Sequence, residues 1–123
     1  MTVNRSLAAF AALNGAMAVA VGAFAAHGAG PAIKTLLTTG AHYQITHALL
    51  ALACALWPAR GKLVTVAGWL GSIGGLIFAL ALSSIGLLGL RAMGAVAPIG
   101  GVLMIAAWLL LAFAALRTRP DNA

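Results

Sequence analysis

Residues 63–90 form the stretch LVTVAGWLGSIGGLIFALALSSIGLLGL, which contains no charged side chain. A helix needs about 20 mostly apolar residues to cross the roughly 30 Å hydrocarbon core of a bilayer. The stretch is therefore long enough to cross with some tilt. It shows no period-two alternation, and a lipid-exposed sheet would need many more strands to close into a barrel. We therefore predict a transmembrane helix here.

Three further apolar segments, residues 6–26, 41–57 and 93–116, are long enough to cross a membrane. Short connections on both sides of residues 63–90 predict antiparallel neighbours. Only the first loop, residues 27–40, is long enough for structure of its own, and we expect a short surface helix within it. The predicted fold class is all-α, an integral membrane four-helix bundle in which residues 1–123 form one domain.

The composition agrees with this prediction. Of the 123 residues, 63% are hydrophobic and 7% are charged, against about a quarter charged in soluble domains. A water-soluble globule is therefore excluded, and the lipid bilayer is the expected partner. The net charge of +6 comes from scattered cations without interleaved aromatic residues, so nucleic acid is not expected as a partner.

The cations also predict an orientation. Two of the seven, Lys34 and Arg91, fall on one side of the predicted bundle. The other five fall on the side of the termini and of the second turn: Arg5, Arg60, Lys62, Arg117 and Arg119. Because cytoplasmic loops carry an excess of Lys and Arg, we expect both termini in the cytoplasm (N-in, C-in) and the protein in the cell inner (plasma) membrane.

Small residues predict which helix faces pack together, because helices in lipid associate through close backbone approach. In the third span they recur every four residues, at Gly71, Gly75, Ala79 and Ser83. The first span has a similar face that includes Ala11 and Ala18, opposed by bulky residues such as Leu13 and Phe24. Contact with a second copy or with another membrane protein through such glycine faces stays an open expectation.

The second span separates into two faces. Gln44, His47 and Cys54 lie on one face, and bulky residues such as Leu49 lie elsewhere. His42 lies about 140° from His47 on a helical wheel, so the two histidines do not share a face. The polar face is predicted to point into the bundle.

Polar groups inside a membrane are functional candidates because each needs a partner there. We predict that four residues meet near the ends of the first two spans as an outer polar cluster: His27, Tyr43, Gln44 and His47. Asn14, in the middle of the first span, is predicted to form an interhelical hydrogen bond. Pro98, beside three glycines, is predicted to bend the fourth span, as a packing bend or as a hinge.

Three hypotheses follow for the outer polar cluster. It ties the first loop to the bundle in a protein with a structural or interaction role, which is the leading interpretation. Alternatively, His27, Gln44 and His47 form the outer mouth of a small-solute channel or carrier subunit. As a third alternative, His27 and His47 bind haem or a metal ion, although no further ligand is evident.

Several activities are disfavoured because their residues are missing. No Asp or Glu lies in any span, which disfavours a proton-coupled antiporter that depends on a membrane-embedded carboxylate. No catalytic triad, zinc motif or phosphate-binding glycine loop is present. We therefore predict a protein that is not an enzyme, with no catalytic residue, metal site or cofactor.

Three stretches resemble a family of small four-span membrane proteins, domain of unknown function 423, which has bacterial members and a eukaryotic transmembrane relative. They are GAFAAHG at residues 22–28, TGAHYQITHAL at 39–49 and GAVAPIGG at 94–101, followed by Trp108. The resemblance covers nearly the whole chain. It implies a multi-pass protein of the bacterial inner membrane whose activity is not established, and it brings no catalytic residues.

Overall fold

The computed structural model describes residues 2–58 and 61–117. These residues form four α-helices: α1 (Arg5–His27), α2 (Pro31–Ala55), α3 (Lys62–Leu88) and α4 (Ala97–Arg117). A short 3-10 helix, Arg91–Ala95, precedes α4. The described residues contain no strand, so the all-α prediction is confirmed. Arg60 and Arg119, which entered the orientation prediction, lie outside the described residues.

The helix ends carry local signals. The side chain of Asn4 caps α1 by accepting a hydrogen bond of 3.1 Å from the backbone N–H of Leu7. The Asn4 backbone N–H donates to the carbonyl of Ala55 over 3.1 Å, which ties the start of α1 to the end of α2. Helix α3 stops at Gly89, whose φ of +68° suits a residue without a Cβ.

Helix α2 differs most from the sequence prediction. The predicted loop over residues 27–40 was wrong, because α2 begins at Pro31 and only three residues, Gly28 to Gly30, separate it from α1. Proline is well suited to the first helical turn. Gly40 is not a loop glycine: a Cβ placed on it would lie 3.2 Å from the Cα of Ala79. Residues 31–40 are therefore a packed helical extension rather than a surface helix.

Pro98 lies at the start of α4. It is the second residue of α4, where the missing backbone N–H has no partner to lose. Pro98 therefore does not interrupt the interior of α4 but lies beside its junction with the 3-10 helix, and a bend or hinge of the span there stays a prediction. The 3-10 helix before it moves the start of α4 to Ala97.

The helices pack in chain order, with α1 on α2, α2 on α3 and α3 on α4. Glycine allows the closest contact: a Cβ on Gly74 would lie 2.8 Å from the carbonyl oxygen of Gly100, and one on Gly100 would lie 2.6 Å from that of Gly74. Gly71, Gly75 and Ala79 are buried, which confirms that the small-residue face of α3 packs against its neighbours.

The two faces of α1 also follow the prediction. Ala11 and Ala18 are buried, whereas Leu13 is 71% exposed and Phe24 is also exposed. Three segments of the described chain are long and apolar enough to cross a membrane: Arg5–His27, Lys62–Leu88 and Arg91–Arg117, which joins the 3-10 helix and α4. The outer surface of the bundle is accordingly suited to lipid rather than to water.

Candidate functional site

Helix α2 turns its polar residues inward at the middle of the bundle. Gln44 and His47 are buried, as is Cys54, while Leu49 is exposed, as the helical wheel predicts. Gly75, the midpoint of α3, marks the depth: a Cβ on it would lie 3.2 Å from the Cβ of His47 and 3.4 Å from the Cα of Gln44. We call the level of Gly75 the mid-level of the bundle.

Asn14, Gln44 and Ser72 form a chain of hydrogen bonds that we call the buried polar network. The Nε2 of Gln44 donates to the Oδ1 of Asn14 over 2.8 Å. The Nδ2 of Asn14 donates to the backbone carbonyl of Ser72 over 2.9 Å, and the Ser72 hydroxyl donates to the Gly68 carbonyl over 2.8 Å. Asn14 thus makes the interhelical hydrogen bonds predicted for it, and α1, α2 and α3 are joined at one depth.

One acceptor of the buried polar network is unused. The Oε1 of Gln44 is buried and has no hydrogen-bond partner within the described residues. Leaving a buried acceptor unpaired costs about 1–3 kcal/mol. The stabilisation from the bond that Gln44 donates to Asn14 is therefore opposed by a penalty at the other end of the same amide group.

His47 joins α2 to α4. The indole Nε1–H of Trp108 donates to the Nε2 of His47 over 2.9 Å. The indole nitrogen only donates and a carbonyl only accepts, so the Nδ1–H of His47 must donate to the Tyr43 carbonyl, 2.7 Å away. These two bonds define a neutral imidazole with its proton on Nδ1.

The structure does not assemble the outer polar cluster. A Cβ on Gly15 would lie 4.0 Å from the Cβ of Ala48, so His47 is level with the middle of α1. His27 is twelve residues further along α1, about 18 Å at 1.5 Å per residue, and it is exposed. The cluster was misplaced because α2 starts ten residues earlier than predicted, which lowers Gln44 and His47 to the mid-level.

This geometry removes two of the three hypotheses as they were stated. His27 and His47 are too far apart to share a metal or a haem, and both ring nitrogens of His47 are hydrogen-bonded within the protein. His27, Gln44 and His47 also do not form a common mouth. The described residues contain no group of three or more His, Cys, Asp or Glu placed to hold a metal ion.

Sequence reasoning missed two members of these contacts, Ser72 and Trp108. Ser72 lies within the glycine-rich stretch of α3, next to Gly71. Trp108 lies in the interior of its span rather than at an interface, where lipid offers its indole N–H no partner. The interior position of Trp108 was therefore the sequence signal that could have predicted a hydrogen-bond partner for it.

A cavity of about 480 Å³ lies beside His47, between α2 and α4. Its lining comes from three helices: Thr39, Tyr43 and His47 of α2, Phe78 of α3, and Gly101, Met104, Ile105 and Trp108 of α4. A second hollow of about 390 Å³ extends along α2 past its exposed His42 and Thr46. Tyr43, His47 and Trp108 line both hollows, and we call the two together the lateral groove.

The chain matches the model of a known protein family. The family model for proteins of unknown function DUF423 matches residues 21–101. The chain belongs to the DUF423 family. The match covers α2, α3 and the residues that link them, including Gln44 and His47, whereas Asn14 and Trp108 lie outside it.

Bacterial relatives resemble this DUF423 chain over most of their length. A UPF0382 membrane protein of Staphylococcus epidermidis is 38% identical over 111 residues, 86% of this chain and 91% of the relative. UPF0382 membrane protein YwdK of Bacillus subtilis is 34% identical, with 86% and 92% covered. A UPF0382 membrane protein of Haemophilus influenzae is 32% identical, with 88% and 91% covered. No solved structure gives a significant match.

The relatives are named as membrane proteins, and three helices of this DUF423 chain are long and apolar enough to cross a membrane. This chain is therefore a membrane protein of a family whose activity is unknown.

Proposed function

We propose that this DUF423 protein is a four-span protein of the cell inner membrane, with both termini in the cytoplasm and a non-enzymatic structural or interaction role. The observation that carries the role is the packing of the polar residues at the mid-level. Gln44 and Ser72 are 0% exposed and Asn14 and His47 are 3% exposed. The side chains of Asn14, Gln44 and His47 take part in hydrogen bonds between helices, so they hold the bundle together rather than line a water-filled path.

The fourth crossing is α2, which is the most polar helix. It packs lengthwise between apolar helices: its Ala55 carbonyl accepts from Asn4 at one end, and near the other end a Cβ on Gly86 would lie 3.4 Å from the Cβ of Ile33. If α1 and α3 cross the bilayer, α2 lies at the same depth and crosses with them. Gln44 donates to Asn14 of α1, and His47 accepts from Trp108 of α4 and donates to the Tyr43 carbonyl. These bonds lower the cost of placing polar groups at this depth, although the Oε1 of Gln44 has no partner among the described residues.

The orientation rests on the ends of the helices. Arg5, Lys62 and Arg117 lie at one end of the bundle, and Lys34 and Arg91 lie at the other. Arg60 and Arg119, outside the described residues, adjoin the first end in sequence. The excess of cations therefore favours the end that carries both termini as the cytoplasmic one. Lipid is the partner of the outer surface, and a second copy or another membrane protein is a further proposed partner.

The role is tested with His47→Ala. The substitution should lower the folded yield and the melting temperature in detergent, because it removes the bond to Trp108. Ion and small-solute flux into liposomes that hold the wild-type protein should equal that of empty liposomes. Flux above that background, changed by His47→Ala in properly folded protein, would contradict a structural role. The lipid-facing Leu49→Ala serves as the matched control on the same helix.

A further inference from the structure

Two polar side chains on α2 face outward at a depth where lipid offers them no partner. His42 is exposed and Tyr43 is 49% exposed. They precede Gln44, at the mid-level, by two residues and one residue, which is about 3 Å or less along a helix. No described residue bonds to the His42 ring or to the Tyr43 hydroxyl. Polar groups at this depth of a bilayer are expensive and mark functional sites.

Both side chains border the lateral groove. The groove has the size of a small-molecule site, since such sites enclose about 300–1,000 Å³. Three aromatic rings line the groove, those of Tyr43, Phe78 and Trp108. Tyr43 and Phe78 meet edge to face with ring centroids 5.2 Å apart. A flat ring can therefore be held among aromatic faces and edges.

The free hydrogen-bonding groups of the groove are donors, so they favour a ligand that carries a hydrogen-bond acceptor. The Trp108 N–H and both ring nitrogens of His47 are already bonded, and the Thr46 hydroxyl donates to the His42 carbonyl over 2.8 Å. The Tyr43 hydroxyl, the Thr39 hydroxyl and the His42 ring N–H are left as donors. The described residues place no Asp, Glu, Lys or Arg in the groove, so a charged ligand finds no counter-ion.

Depth then selects the class of ligand. Phospholipid headgroups lie about 15 Å from the bilayer centre, too far to reach these donors, and an acyl chain carries no acceptor. A lipid-soluble quinone carries carbonyl acceptors on a flat uncharged ring and dissolves within the hydrocarbon. We propose that the lateral groove binds a lipid-dissolved quinone, with its ring among Tyr43, Phe78 and Trp108 and a carbonyl oxygen accepting from Tyr43 or His42. The assignment of depth rests on the membrane crossing proposed above.

The test uses fluorescence of Trp108 in the full chain. Trp57→Phe and Trp69→Phe leave Trp108 as the single indole, and the protein is placed in phosphatidylcholine nanodiscs. A decyl-substituted benzoquinone should quench Trp108 with a saturable dependence on its mole fraction. Tyr43→Phe should raise the half-saturation point about fivefold, the effect of one lost hydrogen bond.

Two neighbouring positions give matched variants. A Cβ on Gly101 meets no atom within 4 Å, so Gly101→Phe fills the groove without a clash and should abolish saturable quenching. Val102→Phe adds a ring beside it at a position that is 64% exposed and outside the groove, and it should leave binding unchanged. Circular dichroism and size-exclusion profiles establish that both variants fold.

Three results would overturn the proposal. One is quenching of Trp108 that rises linearly with the mole fraction of quinone and is equal in Gly101→Phe and Val102→Phe. Another is saturable quenching by phosphatidylcholine with brominated acyl chains that the quinone does not displace. The third is that a second copy of the chain covers the groove. This would be seen as nanodiscs that hold two chains and in which the quinone does not quench Trp108. Side-specific labelling of cysteines at Lys34 and Lys62 reports separately on the crossing of α2, so failure of the topology is distinguished from failure of the groove.

Discussion

At the scale of single residues, the bond between Trp108 and His47 shows how one donor determines the state of a buried ring. The indole N–H can only donate, so the Nε2 of His47 must carry the lone pair and Nδ1 the proton. His47 is buried, so removal of the indole leaves its Nε2 unpaired while its Nδ1–H still donates to the Tyr43 carbonyl. Removal of His47 leaves the indole N–H without its partner.

This pair predicts strong coupling in a double-mutant cycle. Trp108→Phe should lower the free energy of unfolding by about 1–3 kcal/mol, because it leaves the Nε2 of His47 unpaired. His47→Leu should do the same by orphaning the indole N–H. The double variant should be less destabilised than the sum of the two, as measured by unfolding in detergent. Strict additivity would show that the bond contributes nothing to stability.

At the scale of helices, the contact between α3 and α4 depends on two glycines whose backbones touch. A Cβ on Gly100 would lie 2.6 Å from the Gly74 carbonyl oxygen and 2.7 Å from the Phe78 nitrogen. Both obstacles are backbone atoms of a helix, so neither can rotate away. The neighbouring Gly101 has open space instead.

The two adjacent glycines therefore predict opposite effects. Gly100→Ala should destabilise the protein by about 1–3 kcal/mol, because α4 must move off α3. Gly101→Ala should stabilise it by about 0.5–1 kcal/mol through higher helix propensity. Thermal melts of both variants in one detergent provide the measurement. Equal effects of the two substitutions would contradict this packing of α4.

The first ten residues of α2 supply another prediction at this scale. Leu37 is 1% exposed, whereas Thr35 is exposed. Leu37→Ala should cost about 2–5 kcal/mol of stability, since it empties a packed site, and Thr35→Ala should change stability by less than about 0.5 kcal/mol. Melting temperatures of both variants test this. Tolerance of Leu37→Ala would favour the loop that the sequence pattern first indicated.

At the scale of the whole molecule, the proposed crossing of α2 would place its two ends on opposite sides of the bilayer. Lys34 lies near the start of α2 and Lys62 at the start of α3, so in the proposed topology a single crossing separates them. Cys54, the one native cysteine, is buried and can be replaced by Ala to give a thiol-free background.

Labelling of cysteines introduced at Lys34 and Lys62 tests the proposed topology. A membrane-impermeant maleimide applied to spheroplasts should label Lys34→Cys from outside, and Lys62→Cys only after the membrane is permeabilised, because the more basic end stays inside. The reverse pattern would invert the orientation. Labelling of both from one side would show that α2 does not cross.

Much of this protein follows from local pattern. The apolar stretch from residue 63 to 90 predicted a helix, and the spacing of Gly71 and Gly75 predicted its packed face. The period of α2 placed Gln44 and His47 on the buried side. Such features depend on neighbours three or four residues apart, which a sequence displays directly.

By itself, then, the sequence determined an all-helical protein suited to lipid and the inward faces of its helices. Only the tertiary structure decided the depth of Gln44 and His47 and the partners they meet. Residues 31–40 are polar enough to suggest a loop, and their helix is stabilised by Ala79 and other neighbours on α3. Trp108 meets His47 across 61 residues. Contacts between such distant residues arise from how whole helices pack, which periodicity within one helix does not encode.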